Sequence, residues 1–235
     1  MLKLSRLPSG EAEIFESIQG EGTSAGQPSV FVRLATCNLR CSWCDTAYTW
    51  DWRRYDRRRE VMTVGVAEVV QRVTSFSSSN VVLTGGEPLL QDSKLAVLAA
   101  KLKARQRRIE VETNGTRVPS PGLAANVDQW NVSPKLENSG NSLGRREMPG
   151  ALDWFAGQPN AFLKFVVSSP ADIPEVSTLV GRYQVPAARV LLMPEARDAA
   201  TLRERSSWLA DACRAYGYRF SSRLHILLWG DERGR

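Results

Sequence analysis

Three of the chain's four cysteines lie in the stretch Thr36-Cys-Asn-Leu-Arg-Cys-Ser-Trp-Cys-Asp-Thr46. Cys37, Cys41 and Cys44 have the spacing C-x3-C-x2-C, and the fourth cysteine, Cys213, is remote in sequence. Iron–sulfur clusters are normally held by four cysteine thiolates, so three thiolates would leave one iron of a four-iron cube without a protein ligand. The spacing therefore predicts a cluster in which one iron is open to a further ligand.

Two other kinds of cysteine site compete with this prediction. A structural zinc ion takes four Cys or His ligands, and the only histidine, His225, lies near the C-terminus. A disulfide framework is disfavoured because four cysteines in 235 residues are sparse, and because Met1–Glu11 lacks the apolar region of a secretory signal. The spacing alone leaves the zinc site open.

Composition predicts a single domain over residues 1–235. The chain is 43% hydrophobic, which is enough for one sizeable core. No apolar run approaches the ~20 residues that a membrane-spanning helix needs. Free-thiol chemistry and the lack of an export signal predict the reducing cytoplasm.

The formal net charge of +6 favours anionic partners. Much of this excess lies in the run Arg53–Arg59, which neighbours Trp50 and Trp52. Three interpretations stay open: a solvated loop, a docking surface for an acidic electron-donor protein, or contact with nucleic acid. Of these, we do not expect direct nucleic-acid binding.

Strand-like and helix-like segments alternate along the chain. Short apolar runs predict six main strands at Ser29–Ala35, Asn80–Thr84, Arg108–Thr113, Asp128–Val132, Ala161–Ser168 and Arg189–Met193. Apolar residues at helical spacing predict helices at Val64–Ser75, Ser93–Arg105, Ile173–Tyr183 and Asp198–Tyr216. We expect Glu137–Asn160 to be a mainly irregular connection and Leu224–Trp229 to be a last strand.

Strands that alternate with helices pair in parallel through right-handed crossovers. Six βα steps are too few for a closed eight-stranded barrel, so the sequence predicts an α/β fold with an open partial (β/α)6-type TIM barrel. Chemistry in such folds lies at the carboxyl ends of the strands. Five motifs fall there and predict one shared site: Cys37–Cys44, Thr84–Pro88, Glu112–Gly115, Ser133–Lys135 and Met193–Glu195.

These motifs resemble the 7-carboxy-7-deazaguanine synthase family of the radical SAM superfamily, in which S-adenosylmethionine (SAM) binds the open iron. The cysteine spacing and Gly85-Gly-Glu-Pro88 resemble the superfamily. Ser17-Ile-Gln-Gly-Glu-Gly22, Cys44-Asp-Thr46 and Ser133-Pro-Lys135 resemble this family in particular. The resemblance runs nearly end to end and includes the tail Leu224–Gly234.

The resemblance implies an enzyme that converts 6-carboxy-5,6,7,8-tetrahydropterin to 7-carboxy-7-deazaguanine, with loss of ammonia, in queuosine and 7-deazapurine biosynthesis. In this family a reduced [4Fe–4S] cluster cleaves SAM, the 5′-deoxyadenosyl radical takes hydrogen from C6 of the pterin, and SAM is regenerated. The resemblance also implies Mg²⁺, an electron donor such as flavodoxin or ferredoxin, and a homodimer. A substrate segment at about residues 12–24 and a C-terminal extension at about residues 218–235 would flank the radical SAM core.

Site residues follow from the resemblance position by position. Cys37, Cys41 and Cys44 are the implied cluster ligands, and Thr46 is the implied Mg²⁺ ligand. The implied SAM-contacting residues are Trp43, Cys44, Asp45, Gly85, Gly86, Glu87, Asn114, Ser133, Pro134, Lys135, Met193, Pro194 and Glu195. The implied substrate-contacting residues are Ile18, Gln19, Gly20, Arg33, Thr84 and His225.

Residue chemistry leaves several of these roles open. Arg33 lies in an apolar strand and needs a carboxylate partner, either from the pterin or from an internal Asp or Glu. Glu87 could accept a hydrogen bond from the SAM ammonium or from a backbone amide. His225 is either a core histidine or a substrate contact. Gly85 and Gly86 lack side chains, so the backbone could approach SAM there.

Two other functions compete with the synthase. A radical SAM activase would abstract hydrogen from a partner protein and would show no dependence on a pterin. A metal-containing tRNA-binding protein would bind RNA through the arginine run, with strong salt dependence and without SAM cleavage.

Overall fold

The computed structural model describes all 235 residues, and its ten strands form one sheet. The strands are β1 (Leu2–Ser5), β2 (Ile14–Ile18), β3 (Pro28–Leu34), β4 (Val61–Val64), β5 (Asn80–Gly85), β6 (Arg108–Thr113), β7 (Gln129–Val132), β8 (Ala161–Val167), β9 (Val190–Pro194) and β10 (Arg219–Phe220). Their order is β10-β9-β8-β7-β6-β5-β3-β1-β4, and β2 pairs separately with β3. Because β4 and β10 are edges that do not pair with each other, the sheet is open.

Parallel pairing dominates the sheet. The six strands β3 and β5 to β9 pair in parallel one after another, and the short β10 extends this pattern. The strands β1, β2 and β4 are joined by antiparallel pairing beside β3. This topology confirms the predicted open partial (β/α)6 barrel and brings the carboxyl ends of six strands to one edge.

Nine α-helices occur along the chain. They are α1 (Arg57–Glu60), α2 (Val66–Thr74), α3 (Asp92–Lys103), α4 (Pro121–Ala124), α5 (Leu143–Arg146), α6 (Pro149–Ala156), α7 (Ile173–Arg182), α8 (Ala199–Tyr216) and α9 (Leu224–Trp229). The four predicted helices correspond to α2, α3, α7 and α8. None of the helices is both long and apolar enough to cross a membrane.

Helix α8 shows how local signals set the ends of an element. The side chain of Asp198 accepts hydrogen bonds from the backbone N–H groups of Ala200 (3.0 Å) and Thr201 (2.9 Å). These bonds satisfy donors that have no partner inside the first helical turn. At the other end Gly217 takes the left-handed conformation, with φ of 68°, and stops the helix.

The two faces of the sheet have different surroundings. Helices cover the outer face, where a core of 41 buried residues includes Trp130 and Phe155 in edge-to-face contact. The inner face of the strands carries a small apolar cluster of Phe15, Phe31 and Val82. Above that cluster the inner face is polar and forms the wall of a cavity.

Two local predictions were wrong. Leu224–Trp229 is the helix α9 rather than a strand. Ile226 is buried and the next two residues, Leu227 and Leu228, are both about half exposed, so burial does not alternate along the segment as it does in a half-buried strand. A short run of apolar residues cannot separate these two structures by periodicity. Residues 137–160 are not mainly irregular, since they contain α5 and α6, and α6 begins at Pro149, a residue suited to a first helical turn.

Candidate active site

A cavity of about 430 Å³ opens at the carboxyl ends of the parallel strands. All five strand-end motifs contribute to its wall, as the shared location in the sequence predicts. The predicted site residues that line it are Ile18, Gln19, Gly20, Arg33, Cys37, Cys41, Trp43, Cys44, Asp45, Thr46, Thr84, Gly85, Gly86, Asn114, Ser133, Lys135, Met193, Glu195 and His225. Glu87, Pro134 and Pro194 are absent from the wall. The two prolines adjoin lining residues and fix the backbone there.

Each cysteine of the loop receives an N–H donor at its sulfur. The backbone N–H of Leu39 lies 3.4 Å from Cys37 Sγ. The Asn141 amide lies 3.3 Å from Cys41 Sγ, and the Trp50 indole lies 3.3 Å from Cys44 Sγ. Donors at sulfur favour the thiolate, which is the form that binds metal.

Burial opposes this effect and raises the pKa of the Cys37 thiol to about 12, and it raises the pKa of Cys41 as well. Such thiols give up their protons when a metal takes the proton's place. No three His, Cys, Asp or Glu side chains are grouped to hold a single metal ion. The cysteines therefore do not converge as zinc ligands do, whereas the ligands of a cluster bind separate irons.

Close backbone packing holds the cysteine loop against the end of β5. A Cβ atom at Gly85 would overlap the backbone of Leu34, and a Cβ atom at Gly86 would overlap the carbonyl of Thr36. Gly85 also has φ of 118°, which favours glycine. The sequence suggests that these glycines let the backbone approach SAM, and the structure adds that they let two segments of the chain meet.

Thr36 takes a conformation that is rare for a β-branched residue, with φ of 79°. Hydrogen bonds on both sides hold it there. Its N–H donates to Thr49 O (2.7 Å), and its carbonyl accepts from the N–H of Glu87 (2.8 Å). The surrounding chain thus fixes the backbone immediately before Cys37.

Glu87 lies outside the cavity wall, and its contact with SAM stays a prediction. Its carboxylate is fully buried and accepts from Leu89 N (2.9 Å), Thr113 Oγ1 (2.7 Å) and Asn114 N (2.7 Å). Burial raises the pKa of this carboxyl. The structure realises the backbone-amide alternative, in which Glu87 ties the end of β5 to the end of β6.

Polar side chains at the ends of β6 and β7 face the cysteine loop. The Asn114 amide donates to Asn38 Oδ1 (2.9 Å), and Lys135 Nζ donates to Ser133 Oγ (2.8 Å). The Lys135 ammonium also lies 5.4 Å from the centre of the Trp43 ring. These groups are suited to a polar, zwitterionic ligand between the cysteines and the strand ends.

Glu112 begins one of the five strand-end motifs and lines the cavity, although the sequence predicted no role for this residue itself. Its two carboxylate oxygens accept from Gln19 Nε2 (3.1 Å) and Thr84 Oγ1 (2.6 Å). Both donors are predicted substrate contacts, so Glu112 holds them in place across the cavity. The available signal was a carboxylate in the strand β6, two residues before Asn114.

Arg33 has an internal carboxylate partner and still presents free donors. Its Nε lies 2.8 Å from Glu13 Oε1, and Glu13 is fully buried. Glu13 also accepts from Tyr48 Oη (2.9 Å) and from Arg233 Nε (3.2 Å). The two terminal nitrogens of Arg33 have no partner in the chain, and Arg33 lines the cavity. Arg33 thus remains suited to a substrate carboxylate.

A second group of buried charges surrounds Glu21. Its carboxylate pairs with Lys164 and with Arg223, and His225 Nε2 lies 4.0 Å from it. Burial opposes the charged form, but Lys164 and Arg223 outweigh it and lower the pKa of Glu21. Burial lowers the pKa of His225. His225 packs so closely on Gly20 that a Cβ atom there would overlap its ring.

Comparison with known proteins identifies the family. Residues 32–132 match the Radical SAM superfamily. The chain is 42% identical to the 7-carboxy-7-deazaguanine synthase of Pyrobaculum aerophilum, over 95% of the chain and 96% of that protein. It is 38% identical to the enzyme of the same name from Hyperthermus butylicus, over 92% and 91% of the two chains.

The chain belongs to the 7-carboxy-7-deazaguanine synthase family. The crystal structure of QueE from Escherichia coli shares its fold, with a TM-score of 0.71 and 24% identity over 95% of this chain and 94% of that one. Membership in a radical SAM family establishes a [4Fe–4S] cluster and SAM as its cofactors. It removes the zinc alternative and does not favour the activase.

The contacts of Glu87 predict a structural role that can be measured. Glu87→Ala would leave three buried donors without an acceptor, so we expect the free energy of unfolding to fall by about 3 kcal/mol. Urea unfolding of the cluster-free protein measures this change. Glu68→Ala, at an exposed position of α2, is the control and should change stability by less than about 0.5 kcal/mol. Equal stability of the two variants would contradict the assignment.

Proposed function

We propose that this chain is a 7-carboxy-7-deazaguanine synthase, which converts 6-carboxy-5,6,7,8-tetrahydropterin to 7-carboxy-7-deazaguanine with release of ammonia in queuosine and 7-deazapurine biosynthesis. Its similarity to enzymes of that name over nearly the whole chain carries the proposal. The cavity supports it, because cluster-type cysteines and an arginine suited to a carboxylate line the same space.

The lining residues fit both cofactors. Cys37, Cys41 and Cys44 would hold the cluster, since each sulfur already has an N–H donor. SAM would lie between these cysteines and the strand ends, against Gly86, Asn114, Ser133, Lys135, Met193 and Glu195. When bound, the cluster and SAM supply the electron and the radical chemistry that remove a hydrogen atom from the substrate.

The cysteine loop and the strand ends that would contact SAM form one side of the cavity, the cofactor wall. The residues on the other side, the pterin wall, bind and orient the pterin. The free terminal nitrogens of Arg33 receive its carboxylate as a pair of parallel hydrogen bonds. Gln19 and Thr84 are held by Glu112 and present their remaining polar atoms to the ring. Ile18, Gly20 and His225 complete this wall.

Thr46 is the proposed protein ligand of Mg²⁺. Its hydroxyl lies 3.7 Å from Cys44 Sγ and lines the cavity between the cysteines and the pterin wall. Mg²⁺ prefers oxygen ligands and often binds through one protein group together with oxygens of the substrate and water. The pterin carboxylate would supply substrate oxygens here.

Anaerobic turnover tests the function directly. Reconstituted protein with SAM, dithionite, Mg²⁺ and 6-carboxytetrahydropterin should form 7-carboxy-7-deazaguanine, detected by mass spectrometry. Cys41→Ala should abolish product and cluster absorbance together, whereas Cys213→Ala, at the remote buried cysteine, should retain both. SAM cleavage by the unaltered protein without this product would overturn the substrate assignment.

Arg33 is predicted to read the substrate carboxylate. Arg33→Lys keeps a positive charge beside Glu13 but lacks the guanidinium fork, so we expect kcat/KM to fall by about 30- to 100-fold. Equilibrium binding separates the cause. The variant should bind 6-carboxytetrahydropterin more weakly and tetrahydropterin, which lacks the carboxyl group, with unchanged affinity. An equal loss for both ligands would contradict the carboxylate contact.

The run Arg53–Arg59 is the proposed docking surface for an acidic electron-donor protein such as flavodoxin or ferredoxin. Its five arginines are exposed, and only Arg59 pairs with a carboxylate, that of Asp56 at 3.8 Å. Trp50, which donates to Cys44 Sγ, lies three residues before this run. The surface is therefore connected to a cluster ligand.

This surface predicts a salt-sensitive electron transfer. Arg57→Ser/Arg58→Ser should slow cluster reduction by flavodoxin about ten-fold at low ionic strength and leave reduction by dithionite unchanged. Stopped-flow absorbance measures both rates. Arg203→Ser/Arg214→Ser, which removes two exposed charges from α8, is the matched control. Equal slowing by the two double variants would show a general charge effect instead of docking.

Three broader predictions belong to the same proposal. Exposed Leu227 and Leu228 on α9 and Phe220 at the sheet edge offer an apolar surface to a second copy in a homodimer.

The need to keep the cluster thiols reduced supports the cytoplasm as the compartment of this protein. The packing of residues 12–24 and 218–235 against the same cavity supports a single domain over residues 1–235.

A further inference from the structure

Residues 221–224, which lead into α9, are joined to the substrate segment by two hydrogen bonds. The N–H of Leu224 donates to Gly20 O (2.9 Å), and the N–H of Gly22 donates to Ser221 Oγ (2.8 Å). Arg223 lies between these two contacts and is 5% exposed. Its side chain therefore points into the protein and reaches the substrate segment, which lies about 200 residues earlier in the sequence.

All three nitrogens of the Arg223 guanidinium have partners on different parts of the site. Nε lies 3.0 Å from Glu21 Oε1, Nη2 pairs with Asp45, and Nη1 donates to the carbonyl of Ala196. The Glu21 carboxylate also pairs with Lys164, so two buried cations face two carboxylates. The group is charge-balanced without any ligand.

The partners of Arg223 belong to three different binding regions. Glu21 follows Gln19 and Gly20 in the substrate segment, and Asp45 lies between Cys44 and Thr46 in the cysteine loop. Ala196 follows the strand end Met193–Glu195, which carries three predicted SAM contacts. Only a planar guanidinium has donors in three directions at fixed angles, whereas an ammonium is a single point of charge.

We infer that Arg223 is a positioning residue that fixes the substrate segment relative to the cysteine loop, through its simultaneous bonds to Glu21 and Asp45. This inference rests on the proposed function. It gives Arg223 no contact with the reacting atoms. Its effect is to hold the pterin wall at the correct distance and orientation from the cofactor wall, on which hydrogen transfer between the two depends.

Arg223→Lys tests the geometry while keeping the charge. We expect kcat/KM for product formation to fall at least ten-fold, with kcat affected as well as KM, because the pterin wall is no longer held at the correct distance and orientation from the cofactor wall. SAM binding to the cluster-loaded variant, measured by the change in the electron paramagnetic resonance spectrum, should stay within about two-fold of the unaltered protein.

Arg189→Lys is the matched control for lost stability. Arg189 donates to the backbone carbonyls of Ala156, Gln158 and Ala161 at the amino end of β9, opposite the cavity. Thermal unfolding of both variants shows whether they are similarly destabilised. If Arg189→Lys loses as much kcat/KM as Arg223→Lys, the role of Arg223 is only structural and the inference fails.

A mutant cycle measures the coupling itself. Glu21→Gln and Asp45→Asn are made singly and together, once with Arg223 present and once in Arg223→Lys. The inference predicts that their effects on kcat/KM deviate from additivity by about ten-fold when Arg223 is present and become additive in Arg223→Lys. A merely structural arginine would not change the coupling. Additive effects in both backgrounds would overturn the inference.

The outcome for the unaltered protein separates the two proposals. If it forms no 7-carboxy-7-deazaguanine, the proposed function fails before any variant is compared. If it forms product and Arg223→Lys does so at an equal kcat/KM, only the positioning role of Arg223 fails.

Discussion

The contact between the Gly85–Gly86 pair and the end of β3 is the constraint on which the site depends. Neither glycine has room for a Cβ atom, because the backbone of Leu34 and Thr36 occupies that space. This contact places the first residue of the cysteine loop directly beside the end of β5, and Thr36 accepts an unfavourable φ of 79° as a result. The position of Cys37 relative to the strand ends is thus set by contacts between backbone atoms, which a change of side-chain rotamer cannot alter.

The pterin wall is held in place by buried ion pairs instead of by backbone packing. Glu13 and Glu21 are carboxylates held inside the protein by Arg33 and Arg233 in one case and by Lys164 and Arg223 in the other. Buried ion pairs add little net stability, because desolvation offsets their attraction, but removal of one partner leaves an uncompensated charge. We therefore interpret these pairs as devices that specify geometry rather than as a main source of folding free energy.

The sequence is informative where a signal is local. The strand β6 was predicted at its observed bounds, and the predicted helix Asp198–Tyr216 matches α8 to within one residue, because capping and turn preferences act over a few residues. Family motifs are local signals too, and most of the site residues that they predict line the cavity. Leu224–Trp229 was misassigned because a continuous apolar run has no period, and its one buried side chain is decided by tertiary packing.

The residues that sequence reasoning missed all act through distant partners. Glu112 accepts from a donor 93 positions earlier in the chain, and Arg223 donates to a carboxylate 202 positions earlier. No spacing rule links such pairs, and a lone charged residue in a sequence is more often solvated than buried. The sequence left Glu87 with two possible partners for a related reason, because its motif implied a ligand while its partners in the structure are N–H and hydroxyl groups of its own chain.

This division has a consequence for how the site works. On the cofactor wall, the backbone packing at Gly85 and Gly86 and the backbone N–H of Leu39 fix the start of the cysteine loop by atoms that cannot adopt other rotamers. On the pterin wall, position depends on long side chains whose order requires every charge to be paired. The pterin wall comes mainly from residues 18–33 and His225, whereas the cofactor wall comes from residues between 37 and 195. Arg223 bonds to Glu21 beside the first wall and to Asp45 in the second. The precision of hydrogen transfer therefore depends on the charge balance of the pterin wall, since the backbone already fixes the cofactor wall.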